Sequence, residues 1–413
     1  MTLSGTSIKE AFQADLDLLM QGVVDIKPDG RKALEQLLID AAKEKRQLRV
    51  KLGIDPTSSD LHIGHMVCIQ KLRQFQEMGH LPVIIIGGYT AQVGDPSGRN
   101  ETRPALSAED VQNHSRSYIE QVAKVIDITK AEVVNNADWF NTFSLTDIIK
   151  LASRVTVNQM ISKDAFGKRI DAGQPLFMHE IFYPILQAYD SVQIKSDIEL
   201  GGTDQLFNLM VGRDLQRTFE QKPQLCMTMP LLVGLDGVKK MSKSYGNYIG
   251  ISESPNEIYG KTMSIPDELI LDYYILAARV SPDYVQEIKH KLASPAIHNP
   301  RDLKAALAER LVEIYYDVDS AKKAGEQFVN QFKQNQIPEE MENFVLGADN
   351  KLVDLMVLAS LCESKGEAKR LIAGGGVKLD GEKLTDPLQE IDLKPGEDRV
   401  LQVGKRKFVR LVK

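Results

Sequence analysis

The sequence predicts an α/β fold: a doubly wound parallel sheet, followed by an α-helical domain and a small α+β module. Three observations carry the prediction. Over residues 1–250, buried-looking strand runs alternate with amphipathic helical ones. From about 255 to 335 strand signals give way to long helical patterns such as SAKKAGEQFVNQFKQ. The final stretch, DRVLQVGKRKFVRLVK, alternates apolar and basic residues as a half-buried hairpin does. A chain of 413 residues exceeds one hydrophobic core. The expected boundaries follow those changes of character: 1–250, 251–335, a linker at 336–350 and 351–413.

Taken in order, the first 50 residues read as helical, and ALEQLLIDAAKEKRQL sets Leu34, Leu37, Leu38 and Ala41 on one helix face. A strand near LRVKLGI ends in Asp55-Pro56-Thr57, and after the turn-prone Ser58-Ser59-Asp60 a helix starts around His62 and runs to Gly79. The unbroken apolar run from Pro82 to Gly87 suits a parallel strand covered on both faces, which completes a β-α-β unit. SAEDVQNHSRSYIEQVAKVI follows as a helix capped by Ser107, and AEVVNNADW supplies a short strand. In such a fold ligands bind at the carboxyl ends of the strands. Residues 351–384 show two helices, a Gly374-Gly375-Gly376 turn and a strand.

Composition narrows the class. With 43% hydrophobic and 26% charged residues the chain is globular, not disordered or collagenous. Cys68, Cys226 and Cys362 are too far apart for any Cys-x-x-Cys pair, so no structural zinc is expected and the sparse count fits a reducing compartment. Neither a leader-like N-terminus nor an apolar run of membrane-spanning length is visible, so a cytoplasmic protein without a membrane partner is expected. The net charge of −6 argues against nucleic acid for the chain as a whole, yet residues 351–413 hold 13 Lys and Arg against 10 Asp and Glu. That segment is locally basic.

Two short motifs carry chemistry. His62-Ile63-Gly64-His65 opens the helix after the first long strand, where unpaired N–H groups and the helix dipole favour phosphate and Gly64 lets a nucleotide approach the backbone. Far downstream, Lys239-Lys240-Met241-Ser242-Lys243-Ser244 sets lysines three apart on a loop between Gly237 and Gly246, suited to clamping phosphate oxygens. Alone, each is more often a pair of ordinary histidines or a solvated loop. Together and in this order, the chain resembles the class I aminoacyl-tRNA synthetases, whose HIGH and KMSKS signatures appear verbatim at 62–65 and 240–244.

Between them, Tyr183, Gln187 and Asp190 follow an i, i+4, i+7 spacing on one helix face. This resembles the Y-x-x-x-Q-x-x-D pattern of the tyrosyl branch, and Gly201-Gly202-Thr203-Asp204-Gln205 resembles its GGxDQ segment. The resemblance implies a Rossmann-like catalytic domain in which Asp95, Tyr183 and Gln187 meet the substrate ammonium group and Asp190 its phenolic hydroxyl. It gives Gln205 to the tyrosine pocket, and Asp55, Thr57, His62, Gly64, His65, Asp204 and Lys243 to ATP. His62, His65, Lys240 and Lys243 are its catalytic set, with Arg99 and Arg103 as further pyrophosphate contacts. One departure stands out: many family members carry a tyrosine that shares the substrate hydroxyl where this chain has Lys51, so Lys51 is expected outside the pocket, without that second hydroxyl contact.

The C-terminal segment resembles an S4-type RNA-binding module, chiefly from Ser364 to Ile372 and from Gly375 to Gly381, which implies that Lys365, Lys369 and Arg370 face RNA phosphates. The whole resemblance implies tyrosine, ATP with Mg2+ and tRNA(Tyr) as substrates, no protein-bound metal, and a homodimer formed near residues 130–180. Rival readings fit less well. The tryptophanyl branch lacks the tyrosine stripe and the tail, a small-molecule adenylyltransferase has no use for an RNA module, and an RNA-binding regulator is expected to lose signature residues.

Overall fold

A computed structural model of the chain describes residues 13–58, 60–95, 108–333, 341–347, 350–394, 396–404 and 407–413. It divides into two compact units, Met1–Gly325 and Glu326–Lys413.

The first unit opens with α1 (Gln13–Met20), β1 (Asp25–Lys27) and α2 (Gly30–Glu44). The central β-α-β unit is β2 (Arg49–Ile54), α3 (Ile63–Glu77) and β3 (Leu81–Ile86), followed by a single turn, α4 (Thr90–Val93). Next come α5 (Ala108–Val122) and β4 (Glu132–Asn135). A string of helices separates β4 from the second half of the sheet: α6 (Ala137–Phe140), α7 (Leu145–Ala152), α8 (Val157–Ile161), α9 (Asp164–Asp171) and the long α10 (Met178–Ile194). Then follow β5 (Ile198–Gly202), α11 (Leu206–Thr218) and β6 (Leu225–Met229).

The six strands lie in the order β1-β6-β5-β2-β3-β4, parallel except for β1. The chain winds outward from β2 through β3 to β4, then returns to place β5 on the other side of β2. This reversal opens a crevice at the carboxyl ends of β2 and β5. Strand composition follows position: Pro82 to Ile86 of β3 and all of β6 are buried, as both faces of an internal parallel strand must be. Helix α3 turns Ile63, Met66 and Val67 inward at i, i+3, i+4 spacing.

Beyond the sheet lie α12 (Pro255–Met263), α13 (Ile270–Leu276), α14 (Pro282–Leu292), α15 (Pro300–Tyr315) and α16 (Val318–Lys333). Proline opens α12, α14 and α15, where its missing N–H costs nothing, and Ser254, Ser281 and Asn299 cap them. The second unit holds β7 (Asn343–Val345), α17 (Leu352–Leu358), α18 (Lys365–Ala373), β8 (Val377–Leu379), β9 (Glu382–Lys383), β10 (Asp398–Val403) and β11 (Lys407–Val412). Its sheet runs β7-β11-β10-β8-β9, and it has its own core around Leu352, Met356, Ile372, Val377, Leu401 and Leu411.

Two local readings need correction. The first 50 residues are not wholly helical, because Asp25–Lys27 is an edge strand antiparallel to β6; three residues show no period, and only the partner strand makes them a strand. Within the stretch read as a linker, Asn343–Val345 pairs in parallel with β11 for the same reason. The expected cap Ser107 lies outside the described residues.

Candidate active site

The crevice at the β2 and β5 ends is a cleft of about 620 Å³, the size of a small-molecule site. It brings together Asp55, Thr57, His62, Gly64, His65, Asp95, Tyr183, Gln187, Asp190, Asp204, Gln205, Lys240 and Lys243. Residues far apart in the chain meet because the carboxyl ends of β2 and β5, the start of α3 and the face of α10 that carries Tyr183, Gln187 and Asp190 converge there.

At one end lies the stripe on α10. Asp190 is buried, and its two carboxylate oxygens accept hydrogen bonds from Trp139 Nε1 at 3.1 Å and Asn136 Nδ2 at 3.3 Å. Burial lifts its carboxyl to about 7; Lys51, Asn136 and Trp139 oppose that rise and Glu199 adds to it. One turn earlier, Asn208 Nδ2 donates to Gln187 Oε1 at 3.0 Å and to Gln205 Oε1 at 3.0 Å, and Gln205 Nε2 donates to Asp95 Oδ2 at 2.9 Å. The Tyr183 hydroxyl donates to Asp55 Oδ2 at 2.8 Å, and burial keeps that phenol protonated far above its ordinary range. Thr90 Oγ1 donates to the other Asp55 oxygen at 2.8 Å. Gly87 makes room for this arrangement, because a Cβ there would sit 1.9 Å from Asp55 Oδ1.

At the other end the HIGH segment pairs with the backbone that follows the KMSKS loop. His62 and Gly250 form an antiparallel bridge, with Ile63 N donating to Ile249 O at 3.0 Å and Ile251 N to Leu61 O at 3.1 Å. His62 precedes the first turn of α3, its ring centroid 3.8 Å from that of His65. Burial, with the nearby His65 and Lys243, lowers the His62 pKa to about 2, so its imidazole is neutral at physiological pH. Lys240 Nζ lies 3.4 Å from Asp204 Oδ2, and Lys243 Nζ 3.0 Å from Asp60 Oδ2. The loop that carries them is held by Asn247. Its Oδ1 accepts from Ser242 N at 2.8 Å, and its Nδ2 donates to Asp236 Oδ2 at 2.9 Å and to the Lys240 carbonyl at 3.2 Å.

A family model described as tRNA synthetases class I (W and Y) matches residues 43–333, and one described as the tyrosine–tRNA ligase SYY-like C-terminal domain matches residues 331–411. The tyrosine–tRNA ligase of Thermotoga maritima is 46% identical over 399 residues, covering 97% of each chain. That of Aquifex aeolicus is 44% identical over 401 residues, 97% of this chain and 99% of its own. The chain belongs to the tyrosyl-tRNA synthetase family. A C-terminally truncated mitochondrial tyrosyl-tRNA synthetase from Aspergillus nidulans shares the fold with a TM-score of 0.66 at 20% identity, covering 79% of this chain and 97% of its own. One from Archaeoglobus fulgidus, complexed with L-tyrosine, aligns with a TM-score of 0.59 at 23% identity over 75% of this chain and 98% of its own.

In this synthetase several side chains that bond to the residues above carry no signature in the sequence. Asn208, Asn247, Asn136, Trp139 and Asp60 have no motif of their own; only Asn208, three residues after Gln205 on a helix, was open to inference from spacing. Lys51 is fully buried and does not line the cleft. Arg99 and Arg103 lie outside the described residues. In the second unit, Lys365, Lys369 and Arg370 are all exposed on α18, whose Ala368 and Ile372 face the core; Lys365 pairs with Asp354 at 2.5 Å.

Proposed function

We propose that this cleft activates L-tyrosine with ATP to tyrosyl-adenylate and pyrophosphate, then passes tyrosine to the 3'-terminal ribose of tRNA(Tyr) with release of AMP. By family the chain is a tyrosine–tRNA ligase. The observation that best supports the residue assignment is a buried carboxylate, Asp190, in a cleft that the HIGH and KMSKS segments also line. Asp190 takes the phenol hydroxyl, while Asp95, Tyr183 and Gln187 surround the ammonium group, with Gln205 completing the pocket. The Tyr183 proton is committed to Asp55, which leaves its oxygen lone pairs available to accept from an ammonium.

Activation needs no base. A substrate carboxylate oxygen attacks the α-phosphorus, the bond to the β,γ-diphosphate breaks, and its electron pair leaves with pyrophosphate. ATP enters as its Mg2+ complex and is held by Asp55, Thr57, His62, Gly64, His65, Asp204 and Lys243. A neutral His62 contributes a hydrogen bond, so the compensating positive charge comes from Lys240 and Lys243, joined by Arg99 and Arg103. The resting ion pairs of Lys240 and Lys243 are half-exposed and worth only about 0–1 kcal/mol each, so a phosphate displaces the carboxylates readily. Exchange of labelled pyrophosphate into ATP, run with each of the twenty amino acids, tests the reading; tyrosine alone supports it, and another amino acid preferred over tyrosine refutes it.

RNA docking falls to Lys365, Lys369 and Arg370 on α18. Homodimerisation is supported by the segment between β4 and β5, where Leu145, Val157 and Met178 are 75%, 70% and 66% exposed and Ile149 and Phe177 are exposed as well. Among the described residues no helix is long and apolar enough to cross a membrane, and the family's work with tRNA supports a cytoplasmic location.

A further inference from the structure

Beneath the tyrosine end of the cleft lies a buried ion pair. The parallel register of β2 and β5 sets Lys51 beside Glu199, and their side chains are 0% and 1% exposed, with Nζ 2.8 Å from Oε1. Lys51 Nζ also donates to Ser191 Oγ at 2.7 Å and to the Gln187 backbone carbonyl at 3.0 Å, so each ammonium proton has an acceptor on or beside one turn of α10. Glu199 accepts from the Gln187 side chain at 3.2 Å, from Ser191 Oγ at 2.9 Å and from Gln224 Nε2. Gly212 on α11 leaves space for the cluster, since a Cβ there would lie 2.9 Å from Gln224 Nε2 and 3.1 Å from Ser191 Oγ.

Two hydrophobic residues at this register would fill the space without desolvating two charges, and would fold at least as stably. They would not reach the α10 turn with directed bonds. We propose that Lys51 and Glu199 are positioning residues of the amino-acid subsite: they touch no substrate, and they fix the turn and the side chain through which Gln187 and Asp190 grip the two ends of tyrosine. Glu199 orients the Gln187 amide directly. Lys51 clamps the turn from 187 to 191, and its charge favours the ionised form of Asp190. The inference rests on the tyrosine reading of the cleft.

The test is pyrophosphate exchange with full-length wild type, Lys51→Met/Glu199→Gln and Ser191→Ala. The double variant keeps shape and leaves no buried charge unpaired; the serine variant keeps both charges and removes one link. In the double variant the KM for tyrosine is expected to rise about tenfold or more and the tyrosine-over-phenylalanine ratio of kcat/KM to fall by a similar factor, with the KM for ATP within about twofold. Ser191→Ala is expected to shift the tyrosine KM in the same direction by about threefold or more, and it carries the test if the double variant does not fold. A folded variant with tyrosine KM and discrimination both within about twofold of wild type overturns the proposal, as does an equal change in the tyrosine and ATP constants. Wild type that fails to exchange with tyrosine overturns the subsite assignment instead.

Discussion

Asp190 shows how burial and partners set one side chain's behaviour. Its carboxyl sits at about 7, against an ordinary 3.8, because desolvation outweighs the pull of Lys51, Asn136 and Trp139 and Glu199 adds to the rise. Between those two pKa values the folded protein holds a proton that the unfolded chain releases, so Asp190 makes stability fall as pH rises from about 4 to about 7. Asp190→Asn is expected to flatten that slope in thermal melts. The ionised form accepts the phenol proton, so kcat/KM for tyrosine should rise with pH and level off above about 7 in wild type, and lose that limb in the variant. The same variant should narrow the tyrosine-over-phenylalanine ratio on the order of 100-fold; an unchanged ratio in a folded protein removes Asp190 as the hydroxyl reader. Replacing Lys240 or Lys243 with alanine should slow single-turnover activation by about 2–4 kcal/mol and leave tyrosine affinity nearly intact, since a charge that meets the departing pyrophosphate acts on the transition state.

Among the elements, the loop from Leu231 to Gly250 depends most on a single residue. Asn247 ties Asp236, the Lys240 carbonyl and the Ser242 amide together from one amide group, and Gly234 permits it, since a Cβ there would fall 2.3 Å from Asn247 Nδ2. Asn247→Ala should therefore slow activation about tenfold or more without changing equilibrium tyrosine binding, as stopped-flow fluorescence would report. Gly234→Ala should act in the same way; normal rates in both would mean the loop sets its own conformation. On the helical side, Tyr273 of α13 donates its hydroxyl to the Val233 carbonyl at 2.8 Å, which anchors the base of the same loop.

For the whole molecule, the second unit has its own core, and β7 pairs with β11 of that unit. A cut at residue 351 would strand β7 without its partner, whereas ending the chain at Lys333 removes the second unit's sheet entire. The shortened protein should keep pyrophosphate exchange within about twofold and lose transfer of tyrosine to tRNA. Its RNA binding should have a salt slope shallower by about 0.7–0.9 for each phosphate that the missing unit would have neutralised. Equal losses of exchange and charging would assign the tail to folding. At the apolar surface between β4 and β5, Ile149→Glu should shift the protein from dimer to monomer in sedimentation velocity, and a monomeric wild type would refute the proposed interface.

What the sequence determined by itself was local or carried by short motifs. The alternation that builds β2, α3 and β3, the helical stretch from about 255 onward, the closing hairpin and the Tyr183–Gln187–Asp190 stripe are all legible because helix and strand periods repeat within a few residues. The family was legible because HIGH and KMSKS stand verbatim in the chain. Tertiary structure alone decided which long-range neighbours meet: β1 and β7 exist as strands only through their partners, Asn208 links Gln187 to Gln205, and Lys51 finds Glu199 across a strand register. It also decided protonation, holding His62 neutral and lifting Asp190 towards neutrality, since a pKa answers to burial and to charges brought close in space, and neither is written in the order of residues.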